Sequence, residues 1–137
     1  MAQFVELENG NFFNASIIME LRADVNINVN SAEKCKVVAS INILTENGTA
    51  RTLVSGVGEA PWMDSEDVEL YEIVRNEQEA VERKTRNFFE LIARSIICDT
   101  LLYFSPSFQM KEELQQIAKK AAQRIVFEAH QRGAGNE

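Results

Sequence analysis

Between Asp24 and Asn30 the chain alternates without a break: Val25, Ile27 and Val29 fall on one side of an extended backbone, and Asn26, Asn28 and Asn30 on the other. Successive strand residues point to opposite faces, so this run reads as a half-buried β-strand. Lys36–Leu44 repeats the pattern, with Val37, Ala39, Ile41 and Ile43 on one face. Strands with one dry face need an antiparallel sheet covered on one side by another layer. Two Asn-Gly pairs, Asn9-Gly10 and Asn47-Gly48, can supply the positive φ angles of a type I′ turn. The first is expected to join Phe4–Glu8 to Asn11–Leu21, and the second to join Lys36–Thr45 to Thr49–Gly58. The expectation is about five strands in one meander-like antiparallel sheet over residues 1–63.

Strand character is expected to stop at Gly56-Val57-Gly58-Glu59-Ala60-Pro61-Trp62, where the glycines allow a bend and proline removes a ladder donor. Beyond it the pattern is helical. Asp64 or Ser65 can cap a helix whose first turn carries Glu66 and Asp67 at the positive end of the dipole. Val74, Val81 and Phe88 recur every seven residues as a thin apolar stripe, and from Phe88 to Phe104 the apolar positions cover more than one side. A single helix over residues 65–104 would span about 60 Å, so the segment either breaks near Asn76 or projects into a partner. Ser105-Pro106 ends it and opens a second helix with Leu114, Ile117, Ala121 and Ile125 on its apolar stripe. Gly133 reads as the stop, with residues 134–137 a loose tail. The fold class is therefore α+β: one domain over residues 1–133, with sheet in 1–63 and long helices in 64–133.

The formal charge of −7 over 137 residues divides as −3 for residues 1–63, −5 for 64–104 and +1 for 105–137. Phosphate-binding proteins show a basic stripe, and the one dense basic run, Arg83-Lys84-Thr85-Arg86, is flanked by Glu77, Glu79, Glu82 and Glu90. That run reads as a solvated helix face, which argues against nucleic acid. The first residues lack a secretory signal pattern and no stretch approaches 18 apolar residues, so a cytoplasmic protein without a membrane span is expected. Cys35 and Cys98 stand far apart with no C-x-x-C spacing, and both are expected to be reduced. Asn14-Ala15-Ser16 and Asn47-Gly48-Thr49 match the glycosylation pattern but carry no chemistry in that compartment.

No catalytic residue, cofactor or metal site is read from the chain. His130 is the single histidine, too few for zinc, and the acids at Asp64, Glu66, Asp67 and Glu69 lack the pattern of a calcium loop. Cys98 lies between Ile97 and Leu101 and reads as a small buried hydrophobe rather than a nucleophile paired with His130. Gly56-Val57-Gly58 is not followed by Gly-Lys-Ser/Thr, so it is no phosphate loop.

Interaction residues are easier to nominate. Val74, Val81 and Phe88 suit a helix–helix seam between subunits. Adjacent Phe12 and Phe13 must point to opposite faces, leaving one for a partner, together with Ile17 or Ile18 and Val38 or Leu44 on an outer apolar face. Trp62 beside Pro61 is a possible anchor, and the Asn26, Asn28, Asn30 row is either a solvated face or a polar ladder against another strand.

A sheet followed by long helices, with Ala93-Arg94 in an apolar helix and a proline at Pro106, resembles the SecB export chaperones over residues 24–106. The resemblance implies an acidic, cytosolic tetramer that holds unfolded polypeptides; the charged segment 64–87 departs from it. A sheet, a glycine bend and a long helix are also similar to single-strand annealing proteins, whose phosphate-binding role the acidic middle opposes. Three function classes follow. The first is a non-catalytic protein-binding or assembly module, a homo-oligomer that also binds another protein or polypeptide, of which a SecB-like chaperone is one form. The others are a small carboxylate-based enzyme and a nucleic-acid accessory protein.

Overall fold

The alternating run is the end of a longer strand. The computed structural model describes residues 4–29, 34–61, 70–98, 103–106 and 108–135. In chain order these form β1 (Phe4–Glu6), β2 (Phe12–Asn14), a 3-10 turn (Ala15–Ile17), β3 (Ile18–Val29), β4 (Lys34–Thr45), β5 (Ala50–Pro61), α1 (Leu70–Cys98), β6 (Tyr103–Phe104) and α2 (Phe108–Gly135). The class is α+β, but the strands make two sheets rather than one five-stranded sheet: β2-β1-β6 and β3-β4-β5. The division falls at Asn14. Its side chain accepts the Ser16 backbone N–H at 3.0 Å and caps the 3-10 turn, which turns the chain out of the small sheet before β3 begins. Asn11–Leu21 is therefore two strands, not one.

Both hairpins occur at the Asn-Gly pairs, with a different turn from the one expected. Only Gly10 (φ 89°) and Gly48 (φ 82°) have positive φ among the described residues. Gly10 N–H donates to Leu7 O at 2.9 Å and Gly48 N–H to Thr45 O at 2.9 Å. Each is a turn closed by a left-handed glycine, the longer hairpin loop, rather than a two-residue type I′ turn. Asn47 adds a side-chain lock, accepting from Thr45 Oγ1 and from Thr49 N–H.

In the larger sheet the register builds rows across three strands: Val25–Ala39–Gly56 and Ile27–Val37–Gly58, with Ala23–Ile41–Val54 beside them. These rows face the helices. On β4 the residues Cys35, Val37, Ala39, Ile41 and Ile43 are fully buried. Both helices lie on this one face, α1 against β3 and β4 and α2 against β5 and β4. From α1 the core receives Ile73, Val81, Thr85, Ile92 and Ile96; Thr85 keeps its buried hydroxyl satisfied by donating to Val81 O at 2.8 Å. From α2 it receives Leu114, Ala118, Ala121, Ala122, Ile125 and Ala129.

Gly56 and Gly58 do not mark a bend, for β5 runs straight through both to Pro61. A side chain at Gly56 would overlap the backbone of Leu114 and Gln115, and one at Gly58 the backbone of Ala118 and Lys119. The glycines and the alanines of α2 let helix and strand backbones approach directly. Helix α1 continues through Asn76 for 29 residues, about 44 Å. It does not reach Phe104, which lies in β6 beside β1 in parallel. Helix α2 passes Gly133 and ends at Gly135. The expected cap at Asp64 or Ser65, and Trp62, lie outside the described residues. No helix among the described residues is long and apolar enough to cross a membrane.

Candidate functional site

The larger sheet has two edges, and they are finished differently. At the β5 edge, Glu8 reaches over from the first hairpin, accepting the Ser55 backbone N–H at 2.9 Å and the Ser55 hydroxyl at 3.0 and 2.9 Å. Val5 and Leu7 of the first hairpin are buried, as are Leu53 and Val54 of β5. No further strand lies alongside β5 among the described residues, but at Ser55 the edge is capped by a side chain of the same chain.

At the β3 edge no strand lies alongside among the described residues. Edge strands are usually blunted by lysine, proline, bulges or shortness. β3 is twelve residues long, contains no lysine, proline or glycine, and has its single register shift at one end, between Ile18 and Glu20. The rows show the consequence. Ala39 and Val37 on β4 are fully buried, while Val25 and Ile27, their neighbours on β3, remain half-exposed, as do Leu21, Ala23 and Val29.

Beneath this edge an open groove of about 570 Å³ runs between β3 and the start of α1. It is lined by the apolar Ile27, Val29, Leu70 and Val74, by the exposed Tyr71, and by Arg75, Gln78, Glu79 and Glu82. The Arg75–Glu79 pair at 4.0 Å is exposed and contributes little. An extended peptide laid along β3 could take ladder hydrogen bonds from the strand and drop alternate side chains into the groove, the arrangement of strand addition.

A second recess, about 400 Å³, lies between α1 and α2, where Phe88, Leu91 and Met110 meet Asn87, Gln109 and Glu113. It continues past Phe88 towards Ile117, with Lys84, Glu112 and Lys120 around it. Also joining the helices, Arg124 and Glu77 form a 2.7 Å ion pair. The sheet's outer face, uncovered by either helix, is mostly polar. There Asn42 Nδ2 donates to Asp24 Oδ2 at 2.6 Å and to Ser40 Oγ at 3.1 Å.

The nominated residues are thus dispersed. Val74 sits in the β3–α1 groove, Phe88 in the interhelical recess, and Val81 between them is fully buried in the chain's own core. Val81 cannot serve an exposed seam: the observed buried stripe of α1 passes through it, and its heptad partners flank that stripe. Phe12 is 59% exposed on β2, whereas Phe13 packs against the core. Both belong to the small sheet, so they do not share an outer face with Val38 and Leu44 on β4. Asn26 and Asn28 are exposed on the outer face of β3; Asn30 and Trp62 lie outside the described residues. Ile27, Val29 and Tyr71 went unnominated. Ile27 and Val29 were legible as an apolar strand face, but their place at a sheet edge was not, and Tyr71 lies on α1.

For chemistry the described residues offer little. No group of three or more His, Cys, Asp or Glu is placed to hold a metal among them. Burial pushes the Cys35 thiol from 9.0 up to about 11, keeping it protonated and a poor nucleophile at neutral pH. His130 is exposed near the end of α2, and the Cys98 side chain lies outside the described residues. No family model, no curated protein and no solved structure matches this chain.

Proposed function

We propose that this protein is a non-catalytic protein-binding or assembly module that receives a strand at its β3 edge. One observation carries the reading: along every inner row the β4 residue is sealed and the β3 residue is half-exposed, on a twelve-residue edge strand that has no lysine or proline and whose one register shift lies at its Ile18 end. The apolar groove under that edge supports it, since ladder bonds give affinity and side-chain pockets give selectivity. A cytoplasmic chaperone that holds extended polypeptides, as in the SecB resemblance, is the specific form in which the occupant is unfolded chain.

The test uses Ile27→Lys, which places a charge in the groove where its stem can still reach solvent. Light scattering and the anisotropy of a labelled, reduced and carboxymethylated polypeptide are measured together. The reading predicts a mass above 15.5 kDa, saturable polypeptide binding, or both, and loss of that property in the variant with the circular dichroism unchanged. Neither property in the wild type, or full retention in Ile27→Lys, would overturn it.

A further inference from the structure

We propose that the occupant of the β3 edge is a second copy of the chain, paired antiparallel about a two-fold axis through Ala23, so that two three-stranded sheets become one of six strands. This rests on the β3-edge reading above and names its partner.

Geometry restricts the pairing to few registers. Residues directly opposite in an antiparallel pair share a face, so a two-fold axis must pass through a residue and not between two. β3 covers Ile18–Val29, and the longest overlap places the axis at residue 23 or 24. Charge decides between them. With the axis at 24, Asp24 faces Asp24 of the second copy, and like charges directly opposite are destabilising. With the axis at 23, Arg22 faces Asp24 of the second copy, and the symmetry repeats the pair. Glu20 then faces Asn26, again twice. Moving the axis to 22 sets Arg22 against Arg22 and Glu20 against Asp24. At 25 the opposite charges no longer meet and overlap is lost.

The groups involved are available for these roles. Arg22 is exposed and has no ion-pair partner in its own chain among the described residues. Asp24 accepts one hydrogen bond from Asn42, which fixes it on the outer face and leaves further acceptor sites. On the inner face the same register sets Leu21 against Val25, with the small Ala23 meeting itself at the axis. These are the half-exposed residues of β3, and a second β3 covers the side that the chain's own helices leave open.

Charge reversal tests the register directly. Arg22→Glu, Asp24→Arg and the double variant all lie on the exposed outer face, so thermal melts should confirm an intact fold in each. Light scattering of the wild type should give about 31 kDa, twice the 15.5 kDa chain. Each single reversal converts two attractive contacts into two repulsive ones and should weaken the dimer about tenfold or more. The double variant restores opposite charges and should return within about threefold of wild type. A 15.5 kDa wild type that still binds unfolded polypeptide through an Ile27-sensitive site overturns the second copy and leaves the module reading standing. A 15.5 kDa wild type without such binding overturns both. A dimer indifferent to the single reversals, or not rescued by the double, overturns this pairing.

Discussion

The two edges of the β3-β4-β5 sheet contrast in how the chain treats them. On β5, α2 lies backbone to backbone against the inner face at Gly56 and Gly58, Glu8 caps Ser55, and Leu53 and Val54 are buried. Beside β3 the inner face keeps its apolar rows half-exposed, and α1 leaves an open groove. The two edge strands thus differ in how far the chain itself covers their inner face, and association is proposed for the β3 side. Stability should therefore be concentrated on the β5 side, and binding on the β3 side.

The largest effect expected is on the closed side. Gly58→Val forces a branched side chain into the backbone of α2 at Ala118 and Lys119 and should cost about 3 kcal/mol or more, read by urea unfolding. A loss below about 1 kcal/mol would mean that α2 does not sit tightly on β5. Next, Ile41→Ala and Ile27→Ala compare β4 with β3. The fully buried Ile41 should cost about 3 kcal/mol, and Ile27, measured at concentrations where the chain is monomeric, about 1 kcal/mol. Equal losses would show the β3 edge to be as well sealed as the sheet centre.

A smaller effect concerns Cys35, in the row between Val29 and Ala60. Its folded pKa is raised from 9.0 to about 11 by burial. The unfolded chain therefore loses this proton first, so the contribution is intact below pH 9 and is lost as pH rises from 9 towards 11. The slope from this group cannot exceed about 1.4 kcal/mol per pH unit, and Cys35→Ala should remove it from the pH profile of unfolding. Smallest is Glu8→Gln, which weakens an exposed cap on Ser55 and should cost about 0.5 kcal/mol. A much larger loss would make the cap an essential part of the closed edge.

What the sequence disclosed depended on whether a pattern has one physical cause. Alternation has one, so the strands at Val25–Val29 and Val37–Ile43 were legible together with their dry face. Glycine has several. Gly56-Val57-Gly58 suited a bend as well as close helix packing, and the deciding evidence, the small Ala118, Ala121 and Ala122 of α2, lies some sixty residues away in sequence. Asn14 hid the split into two sheets because a local side-chain cap leaves no periodic trace. The Val74, Val81, Phe88 repeat was visible, but a period of seven fits a core helix flank as well as an intersubunit seam. Since Val81 proves to be core, Val81→Glu should abolish cooperative folding rather than only dissociate an assembly, as a thermal melt would show. The open edge was unreadable because an edge is a property of topology: nothing in residues 18–29 says that no strand of the same chain lies beside them.

The β3 edge is proposed to be closed by another chain in solution, whereas Ser55 on β5 is capped by Glu8 of the same chain. Residue-resolved amide exchange on the native protein at high concentration measures this directly. Alternate amides of a bare edge strand point to solvent, whereas a paired strand protects both alternations. Pairing about Ala23 predicts protection of consecutive amides from Glu20 to Asn28, diminishing on dilution, and protection at Ser55 that does not depend on concentration. Rapid exchange of every second amide along β3 at all concentrations, with unfolded polypeptide present or absent, would contradict it.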